Sequence, residues 1–370
     1  MKASIHHSTE GMELDLKIFL ICSGFCAAMG GFSFLLNSIL LKFARTLGIR
    51  DKGDIVRWAS TSKPALGGIT FYIVFLISFI FHGLFFPSSD ILHNVAALGL
   101  LGTGSLAFLM GLADDAYNTR PFLKFLVQVG CALMMISTGT LIDIFDTAWM
   151  NQLLTVTWVV GIMNSINMLD NMDGISTITS LFIFLIGVIF ISLHQDYSRP
   201  EFFILLGLMA SLSAFLFFNW SPSRMYMGDT GSQFLGLILA FVGIHYFWNS
   251  SLINDMSSPG QQVSILAIGF LLPLVDTTIV SINRLLRGQS PFIGGKDHTT
   301  HNLGYLGLSD SQVALAFTAI SAFNALICFF MFRFVEAWTT SLTLFCVLYC
   351  LTIFVVLFLL CYRQRSLYKD

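Results

Sequence analysis

Two acidic segments carry the clearest potential for chemistry in this chain. Asp114 and Asp115 are adjacent, and Lys124 follows them closely. Neighbouring carboxylates repel each other unless a cation lies nearby, so this segment suits Mg²⁺ or a lysine-assisted phosphate site. A solvated helix end would also accommodate a lone Asp-Asp pair. In the second segment, Asp229 lies within Gly-Asp-Thr-Gly-Ser, where glycines allow close backbone approach and an apolar helix follows whose N-terminus favours anions.

A run of polar residues interrupts the apolar chain between positions 164 and 174. Asn164, Asn167 and Asp170 are spaced at i, i+3 and i+6, so a helix would place their polar groups on one side. Asp173 and the glycine that follows it suit a turn. Polar groups at membrane depth are costly and usually functional. A helix cap would explain one or two of these residues but not all of them.

Basic residues and histidines mark two further segments. Lys63 precedes a proline and two glycines, which would fix a turn and expose backbone N–H groups to an anion. A plain turn at a helix start is the alternative interpretation. The segment 284–311 includes Arg287, Lys296, His298 and His301, a combination that suits a diphosphate. A loop that is merely basic would explain the arginine but not the two histidines.

Membrane helices must position these residues. The chain is 55% hydrophobic and only 11% charged, with a mean hydropathy of +0.78, whereas soluble domains carry about 25% charged residues. The net charge of −2 gives no indication of a nucleic-acid partner. Eleven apolar runs approach the length that spans a bilayer, near 18–41, 69–86, 94–110, 122–141, 149–166, 175–193, 201–218, 232–249, 263–283, 313–334 and 338–362.

The sequence therefore predicts an all-α fold, a polytopic transmembrane bundle of about 10–11 spans in a single domain, residues 1–370. Pro273 inside the ninth run predicts a broken helix, with Asp276 just beyond it. When the connections are assigned alternately to two sides, 15 of the 19 Lys and Arg residues fall on one side and 4 on the other. This bias predicts an outer N-terminus and a cytoplasmic C-terminus. The predicted active site then lies in cytoplasmic loops at 42–68, 111–121, 164–174, 219–232 and 284–311.

In their order along the chain, these motifs resemble those of the polyprenyl-phosphate N-acetylhexosamine-1-phosphate transferases. This superfamily includes the lipid I enzyme of peptidoglycan synthesis and the initiators of O-antigen, enterobacterial common antigen and teichoic acid. The resemblance extends from about Lys63 to Leu308 and is closer to the branch that uses UDP-GlcNAc. It rests on Pro-x-x-Gly-Gly, Asp-Asp…Pro…Lys…Gln, Asn-x-x-Asp-x-x-Asp-Gly, Met-Gly-Asp-Thr-Gly-Ser and the histidine loop.

The resemblance implies transfer of an N-acetylhexosamine-1-phosphate, with GlcNAc as the first expectation, from a UDP-sugar to undecaprenyl phosphate. UMP would be released, and the product would begin a cell-envelope polysaccharide such as lipopolysaccharide. The resemblance places the enzyme in the bacterial inner membrane with its active site facing the cytoplasm. Mg²⁺ is the implied cofactor, with Mn²⁺ as a substitute. The sequence leaves open the hexosamine, the pathway and the oligomeric state, a homodimer included.

The resemblance also implies a role for each matched residue. Asp114, Asp115 and Asp229 would be catalytic: Asp229 would ligate Mg²⁺, and the acidic pair would position or deprotonate the acceptor phosphate. Tyr226 replaces a phenylalanine that family members often carry. The nucleotide would contact Asn164, Asn167, Asp170, Asp173, Asn219 and Tyr226. The phosphates or the donor sugar would contact Lys63, Lys124, Arg287, His298 and His301, where close relatives often show His-x-His-His.

A membrane transporter or lipid flippase is the alternative function. Such proteins usually place their coupling acids near the bilayer midplane, often in two related halves of the chain. Here the acids cluster at one predicted surface and no internal repeat is evident. The transferase is therefore the favoured interpretation.

Overall fold

The computed structural model describes residues 2–47, 63–85, 94–250, 258–290 and 295–363. Parts of two predicted loops, 48–62 and 291–294, lie outside the described residues. Within the described part no β-strand is present, and Ala65 and Tyr226 form an isolated parallel bridge. The helices are α1 Lys2–Leu47, α2 Gly67–Phe85, α3 Val95–Tyr117, α4 Pro121–Ser137, α5 Ala148–Leu169, α6 Ile175–Leu193, α7 Pro200–Asn219, α8 Gly228–Gly243 with a π-helical extension Ile244–Trp248, α9 Pro259–Gly269, α10 Leu271–Leu286, α11 Thr299–Tyr305, α12 Asp310–Phe334 and α13 Thr340–Arg363.

The all-α polytopic fold that the sequence predicted is confirmed. Every one of the eleven apolar runs coincides with a helix or a helix pair. Among the described residues, nine helices are long and apolar enough to cross a membrane. α9 and α10 together form a tenth, bent span, and α4 is a shorter apolar helix of 17 residues. α1 extends beyond its predicted run in both directions.

The broken helix near Pro273 is also confirmed. α9 and α10 are bent by 79° at Phe270, just before the proline. Pro273 lies in the first turn of α10, where the missing backbone N–H removes no helical hydrogen bond. Ser165 of α5 fixes the bend, because its Oγ donates to the Pro273 carbonyl at 2.8 Å and lies 2.7 Å from Thr277 Oγ1. The bent span is thereby attached to the helix that carries Asn164 and Asn167.

α8 is the central helix of the bundle. In its spanning window 94% of the residues are buried, and it packs against α2, α3, α5 and α6. A Cβ on Gly68 of α2 would lie 2.2 Å from the Gly231 nitrogen, and one on Gly111 of α3 would lie 2.3 Å from the Asp229 carbonyl oxygen. These distances are far below van der Waals contact, so each position requires glycine. The first turn of α8 is therefore held against the backbones of α2 and α3.

The predicted polar segments meet at one end of the bundle, which we call the site face. The start of α8 is hydrogen-bonded there to the segment before α2, the end of α3, the first turn of α4 and the end of α5. α11 joins the same face through Thr300, whose hydroxyl donates to the Asn171 side chain. The described parts of all five predicted loops thus lie on one side of the bundle.

Candidate active site

An ion cluster lies at the centre of the site face. Lys124 in the first turn of α4 donates to Asp229 Oδ2 at 2.8 Å and is also paired with Asp114 Oδ2. Asp114 is only 6% exposed, and its Oδ1 accepts hydrogen bonds from the backbone and hydroxyl of Thr119 at 2.8 and 2.6 Å. The side chains of Lys124 and Asp229 are 23% and 29% exposed, so a ligand at the site face can reach them.

Asn167 holds the other oxygen of Asp229. Its Nδ2 donates to Asp229 Oδ1 at 2.7 Å and to Ser232 Oγ at 2.8 Å. Asp229 is therefore fixed from two sides, by an ammonium from α4 and an amide from α5. Sequence reasoning did not single out Ser232 as a site residue, although it belongs to the same Gly-Asp-Thr-Gly-Ser motif.

Asp115 has a different task from its neighbour Asp114. Its Oδ1 accepts the Asp229 backbone N–H at 2.8 Å, and its Oδ2 accepts the Thr230 backbone N–H at 2.9 Å and the Thr230 hydroxyl at 2.5 Å. The first N–H groups of a helix have no intrahelical partner, and a carboxylate near them also interacts favourably with the helix dipole. Asp115 on α3 therefore caps α8 and fixes the backbone of Asp229.

A second cluster joins Lys63, Asp173, Ser223 and Tyr226. Lys63 Nζ donates to Ser223 Oγ at 2.9 Å, lies 3.8 Å from Asp173 Oδ2 and is 5.1 Å from the centre of the Tyr226 ring. Asp173 in turn accepts the backbone and hydroxyl of Ser223 at 2.8 and 2.7 Å. The structure therefore brings together an aromatic ring and a lysine, which suit a base and a phosphate respectively.

Asn219, which the resemblance assigned to nucleotide binding, lies behind this cluster. It is 2% exposed, and its Oδ1 accepts the Gly174 N–H at 3.1 Å and the Thr177 hydroxyl at 2.9 Å. Its Nδ2 donates to the Met225 carbonyl at 3.1 Å. The side chain therefore connects the start of α6 to the segment before α8.

The three residues spaced at i, i+3 and i+6 separate into different environments. α5 ends at Leu169, so Asp170 is its C-cap, and the Asp170 N–H donates to the Ile166 carbonyl. Asn167 contacts Asp229, as described above. Asn164 lies one turn deeper and hydrogen-bonds with Gln128 of α4 at 2.8 Å. Of the three, Asn167 is the one that the structure places in the ion cluster.

The histidine loop is fixed by a buried acid. His298 Nδ1 lies 2.8 Å from Asp276 Oδ2, and the backbone and hydroxyl of Thr299 donate to Asp276 Oδ1 at 2.8 and 2.7 Å. Because Nδ1 is engaged, Nε2 is the ring nitrogen of His298 that a ligand would meet. Burial, and then the neighbouring His298, lower the pKa of His301 to about 3, so its ring is uncharged at neutral pH.

Arg287 belongs to an ion network with Arg284 and Asp297. Asp297 accepts hydrogen bonds from Arg284 Nη2 at 2.7 Å and Nε at 3.1 Å, and it is also paired with Arg287. Burial raises the pKa of Asp297, but the hydrogen bonds and charges of the two arginines outweigh burial and hold it below its usual range. Asp297 therefore stays ionised and holds Arg287 beside the histidine loop.

The donor set of the ion cluster fits Mg²⁺. Among the described residues, no three His, Cys, Asp or Glu side chains are grouped as an all-protein metal site would need. Mg²⁺, however, is usually bound through one or two carboxylates, with waters and substrate phosphates as its other ligands. Asp114 and Asp229 already converge on one cation, the Lys124 ammonium. Two carboxylates, of which Asp229 is partly exposed, match this kind of ligand set.

Known proteins resemble this chain in sequence over most of its length. Residues 97–247 match the sequence model of a family described as Glycosyl transferase family 4. The chain is 29% identical over 292 residues to a probable undecaprenyl-phosphate N-acetylglucosaminyl 1-phosphate transferase of Bacillus subtilis, covering 76% of each protein. It is 26% identical over 309 residues to the phospho-N-acetylmuramoyl-pentapeptide-transferase of Staphylococcus saprophyticus, covering 78% of this chain and 90% of that protein. A decaprenyl-phosphate N-acetylglucosaminephosphotransferase of Mycobacterium leprae is 26% identical over 293 residues, covering 72% of this chain and 73% of that protein.

Proposed function

We propose, on the premise of the match between residues 97–247 and glycosyl transferase family 4, that this chain transfers N-acetylglucosamine-1-phosphate from a UDP-sugar to undecaprenyl phosphate. The products are UMP and a lipid-linked diphosphate sugar that begins a cell-envelope polysaccharide. Two of the relatives, in B. subtilis and M. leprae, are named for the transfer of this sugar. Their names therefore favour N-acetylglucosamine over the muramoyl-pentapeptide of the third relative.

The observation that carries the proposal is the meeting of Asp114, Lys124 and Asp229 on the site face. The three groups come from three different helices of an otherwise apolar bundle. Taking charges out of water is costly, so a scaffold without chemistry has no reason to concentrate them. A soluble, charged donor and a lipid-bound acceptor can meet only at a membrane surface, and the cluster's position at one end of a bundle of apolar helices suits such a meeting.

We assign the nucleoside to the cluster of Lys63, Asp173, Ser223 and Tyr226. The Tyr226 ring offers a face to the base, and Lys63 offers a positive charge to the adjacent phosphate. The histidine loop then contacts the diphosphate or the sugar through His298, whose orientation Asp276 fixes. This arrangement divides recognition of the donor between two segments of the chain.

The reaction needs no covalent intermediate. An oxygen of the acceptor phosphate attacks the β-phosphorus of the donor and forms a new P–O bond. The bond from that phosphorus to the bridging oxygen breaks, and its electron pair leaves with UMP. A phosphate monoester has a second pKa of about 6 and is largely ionised at neutral pH, so a strong base is dispensable. Lys124, fixed by Asp114 and Asp229, holds the acceptor phosphate in line for attack.

Mg²⁺ belongs to the same proposal. Asp229 and Asp114 would hold the ion, and its charge would neutralise the diphosphate and the departing UMP. The excess of basic residues on one side of the predicted topology supports a cytoplasmic site face, where UDP-sugars are available. We therefore propose a Mg²⁺-dependent enzyme of the bacterial inner membrane.

The direct test is a reconstituted transfer reaction. Purified full-length protein is incubated in detergent with undecaprenyl phosphate, Mg²⁺ and one of a panel of UDP-sugars, and released UMP and lipid product are measured. We expect UMP only when both acceptor and donor are present, with UDP-GlcNAc the best donor. UMP released without a lipid product would indicate hydrolysis, and absence of UMP with every donor would refute the proposed transfer.

A further inference from the structure

Three side chains that meet in the ion cluster are carried by three different helices. They are Lys124 of α4, Asn167 of α5 and Asp229 of α8, joined by hydrogen bonds of 2.8 Å (Lys124 to Asp229) and 2.7 Å (Asn167 to Asp229). We call these three residues the upper layer. Its geometry depends on how far each helix is advanced along its axis and how it is rotated. A shift of any one helix would break at least one of these two hydrogen bonds.

A second set of polar side chains lies one helical turn deeper on the same three helices. Gln128 and Gln233 follow Lys124 and Asp229 by four residues, and Asn164 precedes Asn167 by three. At a rise of about 1.5 Å per residue, each lies roughly 4.5–6 Å further into the bundle. We call Gln128, Asn164 and Gln233 the amide layer.

Gln128 joins the amide layer into one hydrogen-bonded network. Gln128 Nε2 donates to Gln233 Oε1 at 3.0 Å and to Asn164 Oδ1 at 3.3 Å. Asn164 Nδ2 donates to Gln128 Oε1 at 2.8 Å and to the Val160 carbonyl at 2.8 Å. Gln128 and Gln233 are each 1% exposed, so neither can touch a substrate at the site face. Any effect of these two glutamines on the reaction must pass through the helices.

The apolar surroundings make this network a strong constraint on helix position. An amide that loses its partners inside an apolar core carries the full cost of desolvation. Sliding or rotating α4, α5 or α8 by a fraction of a turn would break at least one of these bonds. Neutral amides also provide donors and acceptors without placing further charge beneath Lys124 and Asp229. The layer can therefore fix geometry without altering the charge balance of the site.

We propose that Gln128, Asn164 and Gln233 are positioning residues that set the register of the upper layer, that is, the relative positions of its three side chains. The rate of transfer depends on this register. This proposal rests on the proposed function. It assigns Asn164 to a role beneath the active site, whereas the sequence motif had suggested contact with the nucleotide. It also gives a task to Gln233, which no motif had singled out.

The first test compares two asparagines of the same helix whose side chains are hydrogen-bonded within the protein. Asn164→Ala removes its amide-layer bonds, and Asn151→Ala removes hydrogen bonds to residues 143–145 at the opposite end of α5. Both variants should lose thermal stability. Asn164→Ala should also lower kcat about 10- to 100-fold with the KM for the donor within about threefold, because misplaced reacting groups reduce turnover. Asn151→Ala should keep kcat within about threefold.

The second test does not depend on transferase activity. Gln128→Met keeps the length and bulk of the side chain but removes its hydrogen bonds, and Asp229→Asn weakens the upper layer. If the amide layer sets the register of the upper layer, the Tm shift of the double variant should differ from the sum of the two single shifts by about 2 °C or more. Independent layers would give additive shifts.

Additive Tm shifts, or a wild-type kcat in both Asn164→Ala and Gln128→Met, would overturn the proposal. A lowered kcat together with non-additive shifts supports it. Should the wild-type protein release no UMP with any donor, the proposed function fails instead. The Tm cycle then decides alone whether the amide layer sets helix register.

Discussion

Asp115→Asn separates the roles of two acidic neighbours that the sequence could not distinguish. Both oxygens of Asp115 accept hydrogen bonds from the first turn of α8, at 2.8 Å from the Asp229 N–H and 2.9 Å from the Thr230 N–H. The substitution replaces one acceptor oxygen with an NH₂ group that faces a donor. Since Asp229 belongs to the capped turn, its side chain should be displaced while its own charge is unchanged.

The expected effect is moderate and divided between stability and rate. Losing a helix N-cap typically costs about 1 kcal/mol, and such a loss lowers Tm by roughly 2–4 °C in a chain of a few hundred residues. Displacement of Asp229 by a fraction of an ångström should lower kcat about 10- to 100-fold. The Mg²⁺ concentration for half-maximal activity should stay within about threefold, because backbone groups already occupy the Asp115 carboxylate. Calorimetry and UMP release under Mg²⁺ titration measure these quantities.

Two comparison variants make the result interpretable. Asp114→Asn weakens the pair with Lys124 and should impair turnover more severely than Asp115→Asn. Asp146→Asn, an exposed carboxylate at the opposite end of the bundle, should change neither Tm nor kcat. If Asp115→Asn left Tm unchanged but raised the Mg²⁺ requirement tenfold or more, Asp115 would contact the metal or substrate, and its role as a cap would be wrong.

Three further outcomes are expected. His298→Ala should lower kcat/KM roughly 10- to 1000-fold, measured with UDP-GlcNAc and UDP-GalNAc; full activity with unchanged sugar preference would exclude the loop from donor recognition. Cysteine at Tyr117, on the site face, should be shielded from an impermeant reagent in intact cells, whereas cysteine at Ser198 should react; the reverse pattern would invert the proposed orientation. Gly111→Ala should abolish most activity because its Cβ would meet the start of α8, while Gly130→Ala, with nothing within 4 Å, should be silent.

The fold could be predicted because apolar length is a local property of the sequence. Each run long enough to span a bilayer became a helix, and Pro273 marked the bend within a few residues. The different tasks of Asp114 and Asp115 could not be predicted. Successive residues on a helix point about 100° apart, so adjacent carboxylates face different neighbours. Those neighbours, on α4 and α8, are fixed only by the tertiary packing.

Prediction from the sequence has the same limit for the polar residues of the candidate site. Sequence reasoning treated the polar residues of the predicted inner segments as potential ligand contacts. Asn219 and Asn164 instead have their amides hydrogen-bonded within the protein. A side chain that faces a ligand and one that satisfies buried neighbours are equally polar, so composition alone does not separate them. The four-residue spacing from Lys124 to Gln128 is visible in the sequence. That the same spacing from Asp229 to Gln233 brings the two glutamines into contact is apparent only once the helices are packed together.

The charges of the ion cluster give a physical reason to expect a metal requirement. When ionised, Asp114, Asp115 and Asp229 place three negative charges beside the single positive charge of Lys124. A UDP-sugar diphosphate approaching this cluster would be repelled unless a further cation entered with it. We therefore expect EDTA to abolish UMP release and Mg²⁺ to restore it. Asp229→Asn should keep the fold but lose most Mg²⁺-dependent turnover, because an amide ligates Mg²⁺ less well than a carboxylate. Full activity in EDTA, or normal Mg²⁺ titration in the variant, would show that this chain neutralises the diphosphate with its own basic residues.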